Sequence, residues 1–216
     1  MPHSDQPLSK TAARFQGEPI RVLFIPDVGT PQQDDWQSWL ATQYKGSKMA
    51  APANRTITDL SEWSSQIDKV LNRSLPETIW IAVAHGFGCL ALAHHLDNHL
   101  YDRSRHQARV HAALMVAPSD SGTFGQVHRT PQNGLGIPST VIGSDNDPCM
   151  PVQRAQEWAS LWGARFHNLG LAGHIDAQAG FGPWPLARFK VDELIRDQQR
   201  QKRLARAHPL ELNYAV

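Results

Sequence analysis

The sequence predicts an α/β domain of three layers, in which a mainly parallel central sheet is flanked by helices. Two observations lead to this prediction. Short apolar segments alternate with segments of helical periodicity, and most of the apolar segments are hydrophobic throughout rather than at every second position. Strands that are buried on both faces have this uniform pattern, and helices between parallel strands cover both faces of a sheet.

The predicted strands are apolar runs bounded by turn residues. Residues 20–26 are rich in β-branched side chains and end at a proline, which is typical of a buried strand. Residues 78–84 form the strongest strand pattern. The remaining predicted strands cover residues 110–116, 139–142 and 165–169.

Helices are predicted between these strands, where apolar residues recur at helical spacing. The predicted helices cover residues 34–44, 58–71, 89–100 and 152–162, and a last helix starts near Leu186. Asp34 and Asp35 precede the first of these runs, as expected at a helix N-terminus.

The domain organisation follows from where this alternation begins and ends. We expect residues 1–19 to form a polar leader, residues 20–195 the α/β domain, and residues 196–216 a basic C-terminal tail. The leader has no apolar periodicity. The basic tail is interpreted as a solvated segment, with a binding arm as the alternative.

Composition excludes several classes of partner. The 21 basic and 20 acidic residues nearly balance, so no overall field favours nucleic acid or an anionic membrane. Cys89 and Cys149 are too few for a disulfide framework. We therefore expect a cytoplasmic protein with reduced thiols that binds neither nucleic acid nor membrane.

Residues 84–88, with the sequence AHGFG, form a sharp turn between the strongest strand and a helix. This pattern is similar to the nucleophile elbow G-x-S-x-G, in which small flanking residues let the strand and the helix approach closely. Gly86 lies where the nucleophilic serine of that motif would be. The alternative is an ordinary glycine turn.

Two later loops supply an acid and a histidine. Asp147, beside Pro148, is the first candidate for an acid that orients a histidine, and Asp145 is the second. His174 follows the strand at residues 165–169 and is the candidate base. Taken singly, such residues more often form an ordinary Asp-Pro turn and a structural histidine. Their order after the turn at Gly86 favours a catalytic set.

These motifs resemble those of the small serine hydrolases typified by retinoblastoma-binding protein 9 and bacterial YdeN, a family of the α/β-hydrolase fold. The resemblance covers about residues 20–195. Its most specific motifs are AGHID at residues 172–176 and GFGPWP at residues 180–185, together with AHGFGC at 84–89 and the Asp147–Pro148 pair.

The resemblance implies Asp147 and His174 as the acid and base of a catalytic triad whose nucleophile position is Gly86. It also implies an oxyanion hole formed by the backbone N–H of Phe87 and one near Asp27 or Val28. The resemblance also implies that Asp27 lies where relatives usually have glycine, so that Asp27 would narrow this loop or place a negative charge near the oxyanion.

We therefore expect a family member whose esterase activity is absent or very weak, because glycine cannot form an acyl-enzyme. The alternative is a non-catalytic protein that binds a small ester or acyl ligand, or a protein partner, on the same scaffold. Trp184 is expected either to wall the substrate pocket beside Asp27 or to serve packing alone.

No cofactor or metal site is predicted. His95 and His99 have the i, i+4 spacing of some zinc sites, but no Glu or Cys nearby in the sequence completes a set. The long loop at residues 118–137 is expected to be either a mobile rim over the site or an inert insertion.

Overall fold

Six strands form one parallel sheet at the centre of the computed structural model, which describes residues 19–30, 34–100 and 108–206. In chain order the strands are β1 (Ile20–Ile25), β2 (Lys48–Met49), β3 (Ile79–His85), β4 (Arg109–Val116), β5 (Ser139–Gly143) and β6 (Arg165–Asn168). Their spatial order is β2-β1-β3-β4-β5-β6, and every neighbouring pair is parallel.

Five α-helices cover the sheet. They are α1 (Trp36–Thr42), α2 (Leu60–Asn72), α3 (Phe87–Asn98), α4 (Val152–Leu161) and α5 (Pro185–Arg206). Asp59 caps the N-terminus of α2, and its side chain accepts hydrogen bonds from the backbone N–H groups of Ser61 and Glu62.

The hydrophobic core has two parts, one on each face of the sheet. Alternate side chains of β3 point to opposite faces, so Trp80 and Ala82 pack against α2, α3 and α4, whereas Ile81 and Val83 pack against α1 and α5. All seven residues of β3 are buried. The predicted α/β class, with a parallel sheet between layers of helices, is confirmed.

Some elements differ in detail from the predicted ones. The edge strand β2 is only two residues long, too short to give a hydrophobic pattern, and it was not predicted. The segment at 118–137 contains two short 3-10 helices, Ser121–Phe124 and Val127–Arg129. Helix α5 continues through Arg206 into the predicted tail, whereas residues 207–216 and residues 1–18 of the leader lie outside the described residues.

Among the described residues, no helix combines the length and the apolar character needed to cross a bilayer.

We predict that Gly88→Ala destabilises the fold, although alanine favours helix formation. A Cβ at position 88 would overlap the backbone carbonyl groups of Ile25 and Pro26, where α3 passes the end of β1. Such overpacking costs about 1–3 kcal/mol of unfolding free energy, which urea denaturation measures. Gly134→Ala is the control, since its Cβ would have an ordinary contact at 3.8 Å from the Trp162 carbonyl oxygen. Equal stability of the two variants would contradict the prediction.

Candidate active site

The candidate site lies at the carboxyl ends of the strands, where loops of parallel sheets commonly bind ligands. Asp27 follows β1, Gly86 follows β3, Asp147 follows β5 and His174 follows β6. Because all the strands are parallel, these four loops meet at one edge of the sheet. The residues predicted from separate loops therefore lie in one place.

Gly86 turns the chain from β3 into α3 in a backbone conformation that L-residues rarely adopt. Its φ is 52° and its ψ is −123°. The turn is held by its own backbone: the N–H of Gly86 donates to the Val116 carbonyl at 3.1 Å, and the Gly86 carbonyl accepts from Ser119 N–H at 3.2 Å. A side chain at this position would be strained.

His174 and Asp147 form a close pair. His174 Nδ1 lies 2.9 Å from Asp147 Oδ1 and 3.1 Å from Oδ2, and the Asp147 side chain is almost fully buried. Asp145, the second candidate, instead accepts a hydrogen bond from Asn168 Nδ2 at 2.8 Å. The acid in contact with the histidine is therefore Asp147.

Two polar side chains beside Asp147 hold the His174 loop in place. Asn146 Oδ1 accepts from the backbone N–H of Gly173 at 2.8 Å, and buried Ser144 accepts from that of Ala172 at 3.0 Å. Sequence reasoning missed both. The signal was present, because Ser and Asn in loops commonly hydrogen-bond to nearby backbone.

His85 is a further residue that sequence reasoning did not assign to the site. Its Nε2–H donates to the backbone carbonyl of His174 at 2.9 Å. Complete burial lowers the pKa of His85, so its ring is neutral. The ring also packs edge-on against Trp36, with centroids 5.7 Å apart. His85 therefore positions the His174 backbone and does not serve as a second cation.

The Asp27 carboxylate occupies the space in front of Gly86. Its Oδ1 accepts the backbone N–H of Phe87 at 2.6 Å and that of Val28 at 2.8 Å. Its Oδ2 lies 3.2 Å from His174 Nε2. A Cβ built on Gly86 would overlap the same carboxylate. Both amides predicted for an oxyanion hole therefore already bind a negative oxygen.

His174 lies between two carboxylates, and this sets its charge. Burial opposes the protonated ring, but hydrogen bonds to Asp147 and Asp27 outweigh it and raise the pKa of His174 to about 10. Burial likewise opposes the charged form of Asp27, but the hydrogen bonds from His174 and Phe87 prevail and lower its pKa. At neutral pH both nitrogens of His174 therefore carry protons and donate.

A small polar cavity of about 100 Å³ lies beside Asp27. The residues that line it are Pro26, Asp27, Val28, Thr30, Asp35, Arg55, His85, Asp176 and Ala177. Trp184 packs edge-on against Trp36 and Phe181, with centroids 5.2 and 5.1 Å apart, and is buried in the core. Its role as a pocket wall stays a prediction.

The two cysteines differ in their relation to the site. Cys89 is buried in α3 with its thiol directed at the Val116 carbonyl, and burial raises its pKa well above the usual value. Cys149 is exposed, and its Sγ lies within 4.8 Å of ligand atoms of Asp147 and His174. Burial also raises the pKa of Cys149, so its thiol is protonated at neutral pH.

Comparison with a model of the family described as serine hydrolase gives a match over residues 22–193, which is most of the chain. The chain belongs to the serine hydrolase family. The match includes all four site loops of this serine hydrolase family member. No protein of the curated set matches its sequence.

Solved structures similar to this family member share its fold. A protein described as a YdeN-like hydrolase from Pectobacterium atrosepticum is 27% identical, with a TM-score of 0.71 over 82% of this chain and 89% of that one. The ydeN gene product of B. subtilis is 18% identical, with a TM-score of 0.61 over 82% and 97%. Mouse alpha/beta hydrolase domain-containing protein 10 is 13% identical, with a TM-score of 0.55 over 82% and 90%.

We predict that the His174 ring is doubly protonated at pH 8, which the ¹⁵N chemical shifts of its imidazole measure directly. Asp27→Asn removes one of the two charges that stabilise the cation, so it should lower the pKa of His174. Asp145→Asn is the matched control, because Asp145 contacts Asn168 instead of the ring. A neutral ring at pH 8 in the unaltered chain would contradict the assigned charges.

The same charges predict how stability depends on pH. The pKa of His174 is raised from 6.5 to about 10, so its contribution is complete below pH 6.5 and is lost as the pH rises towards 10. The pKa of Asp27 is lowered from 3.8, so its contribution is present above that pH and is lost in more acidic solution. Urea denaturation between pH 6.5 and 10 should show a fall in the free energy of unfolding, and His174→Gln should abolish this fall. An unchanged slope in this variant would sink the prediction.

Proposed function

We propose that this serine hydrolase family member is disarmed as a serine esterase: its nucleophile elbow carries Gly86, and Asp27 fills the space that the serine would need. The observation that supports this most directly is the pair of hydrogen bonds from Phe87 and Val28 to Asp27 Oδ1. This arrangement alters the nucleophile, the oxyanion hole and the general base of acyl transfer.

The nucleophile is the first component. Glycine has no side chain, so no acyl-enzyme forms at position 86. Loss of the nucleophilic serine from a comparable triad reduces turnover by about a million-fold. Cys89 does not replace it, since its thiol is buried and points at the Val116 carbonyl.

The oxyanion hole is the second component. Backbone N–H groups stabilise an acyl-transfer transition state by donating to the oxygen on which negative charge develops. Here Phe87 and Val28 already donate to a carboxylate oxygen. A substrate carbonyl would have to displace Asp27, and the displaced negative charge would still repel the developing oxyanion.

The general base is the third component. His174 would have to accept the proton of the nucleophile through Nε2, but Nε2 faces Asp27 Oδ2 at 3.2 Å and is protonated at neutral pH. A protonated imidazole has no lone pair with which to act as a base. The pair Asp147–His174 is thus retained without its usual protonation state.

The cavity beside Asp27 favours a second candidate function, which is non-catalytic binding of a small ligand. Arg55, Asp35 and Asp176 line this space of about 100 Å³ and offer both charges. Such a space admits a small polar group, such as the head of an ester or acyl compound. Binding of this kind needs neither a nucleophile nor a free oxyanion hole.

We predict that restoring esterase activity requires two substitutions together. Gly86→Ser alone should stay inactive towards short-chain aryl esters, because Asp27 still overlaps the new side chain, accepts the hydrogen bonds of the Phe87 and Val28 amides and keeps His174 protonated. Asp27→Gly alone should stay inactive because it has no nucleophile. Gly86→Ser with Asp27→Gly should exceed either single variant by at least about 100-fold, the effect of one oxyanion donor.

Several controls make this experiment decisive. Adding His174→Ala to the double variant should abolish the gained activity. Cys149→Ser in every background excludes the exposed thiol as an alternative nucleophile. Thermal melts check that each variant is folded. Activity of the unaltered chain that His174→Ala removes would refute the proposal. A folded but inactive double variant would shift support to the ligand-binding alternative.

A further inference from the structure

A second cluster of titratable side chains lies at the other end of the molecule from the candidate active site. His95 lies in the last turn of α3 and His99 is the C-cap residue of this helix, whose N-terminal end is the Gly86 turn. Asp68 reaches them from α2, the helix that packs against α3. Among the described residues, their ligand atoms all lie within 4.8 Å of one another.

The distances within this cluster fit a metal ion better than they fit strong hydrogen bonds. Asp68 Oδ1 lies 3.3 Å from His99 Nε2 and 3.6 Å from His95 Nδ1. Zinc binds nitrogen and oxygen ligands at about 2.0–2.2 Å, and two such ligands of a tetrahedral ion are therefore about 3.3 Å apart. The two distances from Asp68 are therefore close to the ligand separation at a tetrahedral ion, and all three ligand atoms lie within 4.8 Å of one another.

The residue types in the cluster also suit a cation. One carboxylate and two imidazoles supply an oxygen and two nitrogen ligands, which are donors that Zn²⁺ commonly binds. His95 is buried, whereas Asp68 and His99 are partly exposed. Ser64 Oγ lies 3.2 Å from His95 Nδ1 and competes for that nitrogen. Metal binding through Nδ1 would therefore break this hydrogen bond.

Space for an ion and its water ligands lies directly beside the three side chains. A cavity of about 330 Å³ is lined by all of them and by residues of α5 and the β4 region, including Gln198, Arg109 and His111. An ion could therefore enter from solvent. Water could complete its coordination, since three protein ligands leave a position open.

We propose that Asp68, His95 and His99 form a binding site for a divalent transition metal ion, with Zn²⁺ as the best match to one carboxylate and two imidazoles. The ion would link α2 to α3 at the end of the sheet remote from Asp27 and His174. The site does not depend on the proposed function, because it shares no residue with the candidate active site. It explains why a carboxylate and two histidines from two helices converge beside an open cavity.

The test measures Zn²⁺ binding to the full chain by isothermal titration calorimetry and the rise in melting temperature that Zn²⁺ causes. Asp68→Asn and His99→Gln should each weaken binding at least as much as loss of an outer-sphere partner does, which is about 10- to 100-fold. His95→Gln should do the same. His128→Ala, a substitution of an exposed histidine elsewhere, should leave the affinity unchanged.

A competing site must be separated from this one. Asp147, Cys149 and His174 also bring three ligand atoms within 4.8 Å of one another. All titrations are therefore repeated in a Cys149→Ser background, where binding at the proposed site should persist. Absence of Zn²⁺ binding, or binding that Asp68→Asn and His99→Gln leave intact, would overturn the proposal. Both of these side chains are partly exposed, so the two variants test the site even if His95→Gln does not fold.

Discussion

The Asp27 carboxylate is the interaction on which the rest of the candidate site depends. A carboxylate with little access to water is costly unless charged or N–H groups surround it. Here the turn after β3 supplies Phe87 N–H, the loop after β1 supplies Val28 N–H, and the loop after β6 supplies His174. One side chain thus joins three segments that are distant in the sequence, and His85 and Asn146 then fix the loop that brings His174 to it.

Gly86 and Asp27 are two parts of a single arrangement. A side chain at position 86 and the carboxylate of Asp27 would occupy the same space. The strained backbone at Gly86, with φ of 52°, is also tolerated best by glycine. Glycine at position 86 leaves room for the Asp27 carboxylate, and this carboxylate fills the space that a side chain at position 86 would need. What the sequence presents as two separate features is therefore one arrangement, in which the Asp27 carboxylate fills the space beside Gly86.

The sequence sufficed for the parts of the molecule that have a local pattern. The apolar runs predicted the five longer strands, and their order along the chain predicted which loops would meet at one edge. It did not suffice for contacts that depend on side-chain direction. Asp27 lies 60 residues before Phe87, and no local pattern specifies that its carboxylate turns towards the β3–α3 turn. The proximity of Asp68 to His95 and His99 was not predicted for the same reason, because Asp68 belongs to a different helix.

The second carboxylate changes what the acid–histidine pair can do. With Asp147 alone, an imidazole is oriented through Nδ1 and its Nε2 remains able to accept a proton. With Asp27 at Nε2 as well, the ring is stabilised as a cation and both of its N–H groups are used. Under the proposed function, His174 is thereby the counter-ion of a carboxylate instead of a general base. Asp27 also accepts hydrogen bonds from the Phe87 and Val28 amides, which the proposed function assigns to the oxyanion hole. The site therefore holds a permanent negative charge at the place where acyl transfer needs negative charge only in the transition state.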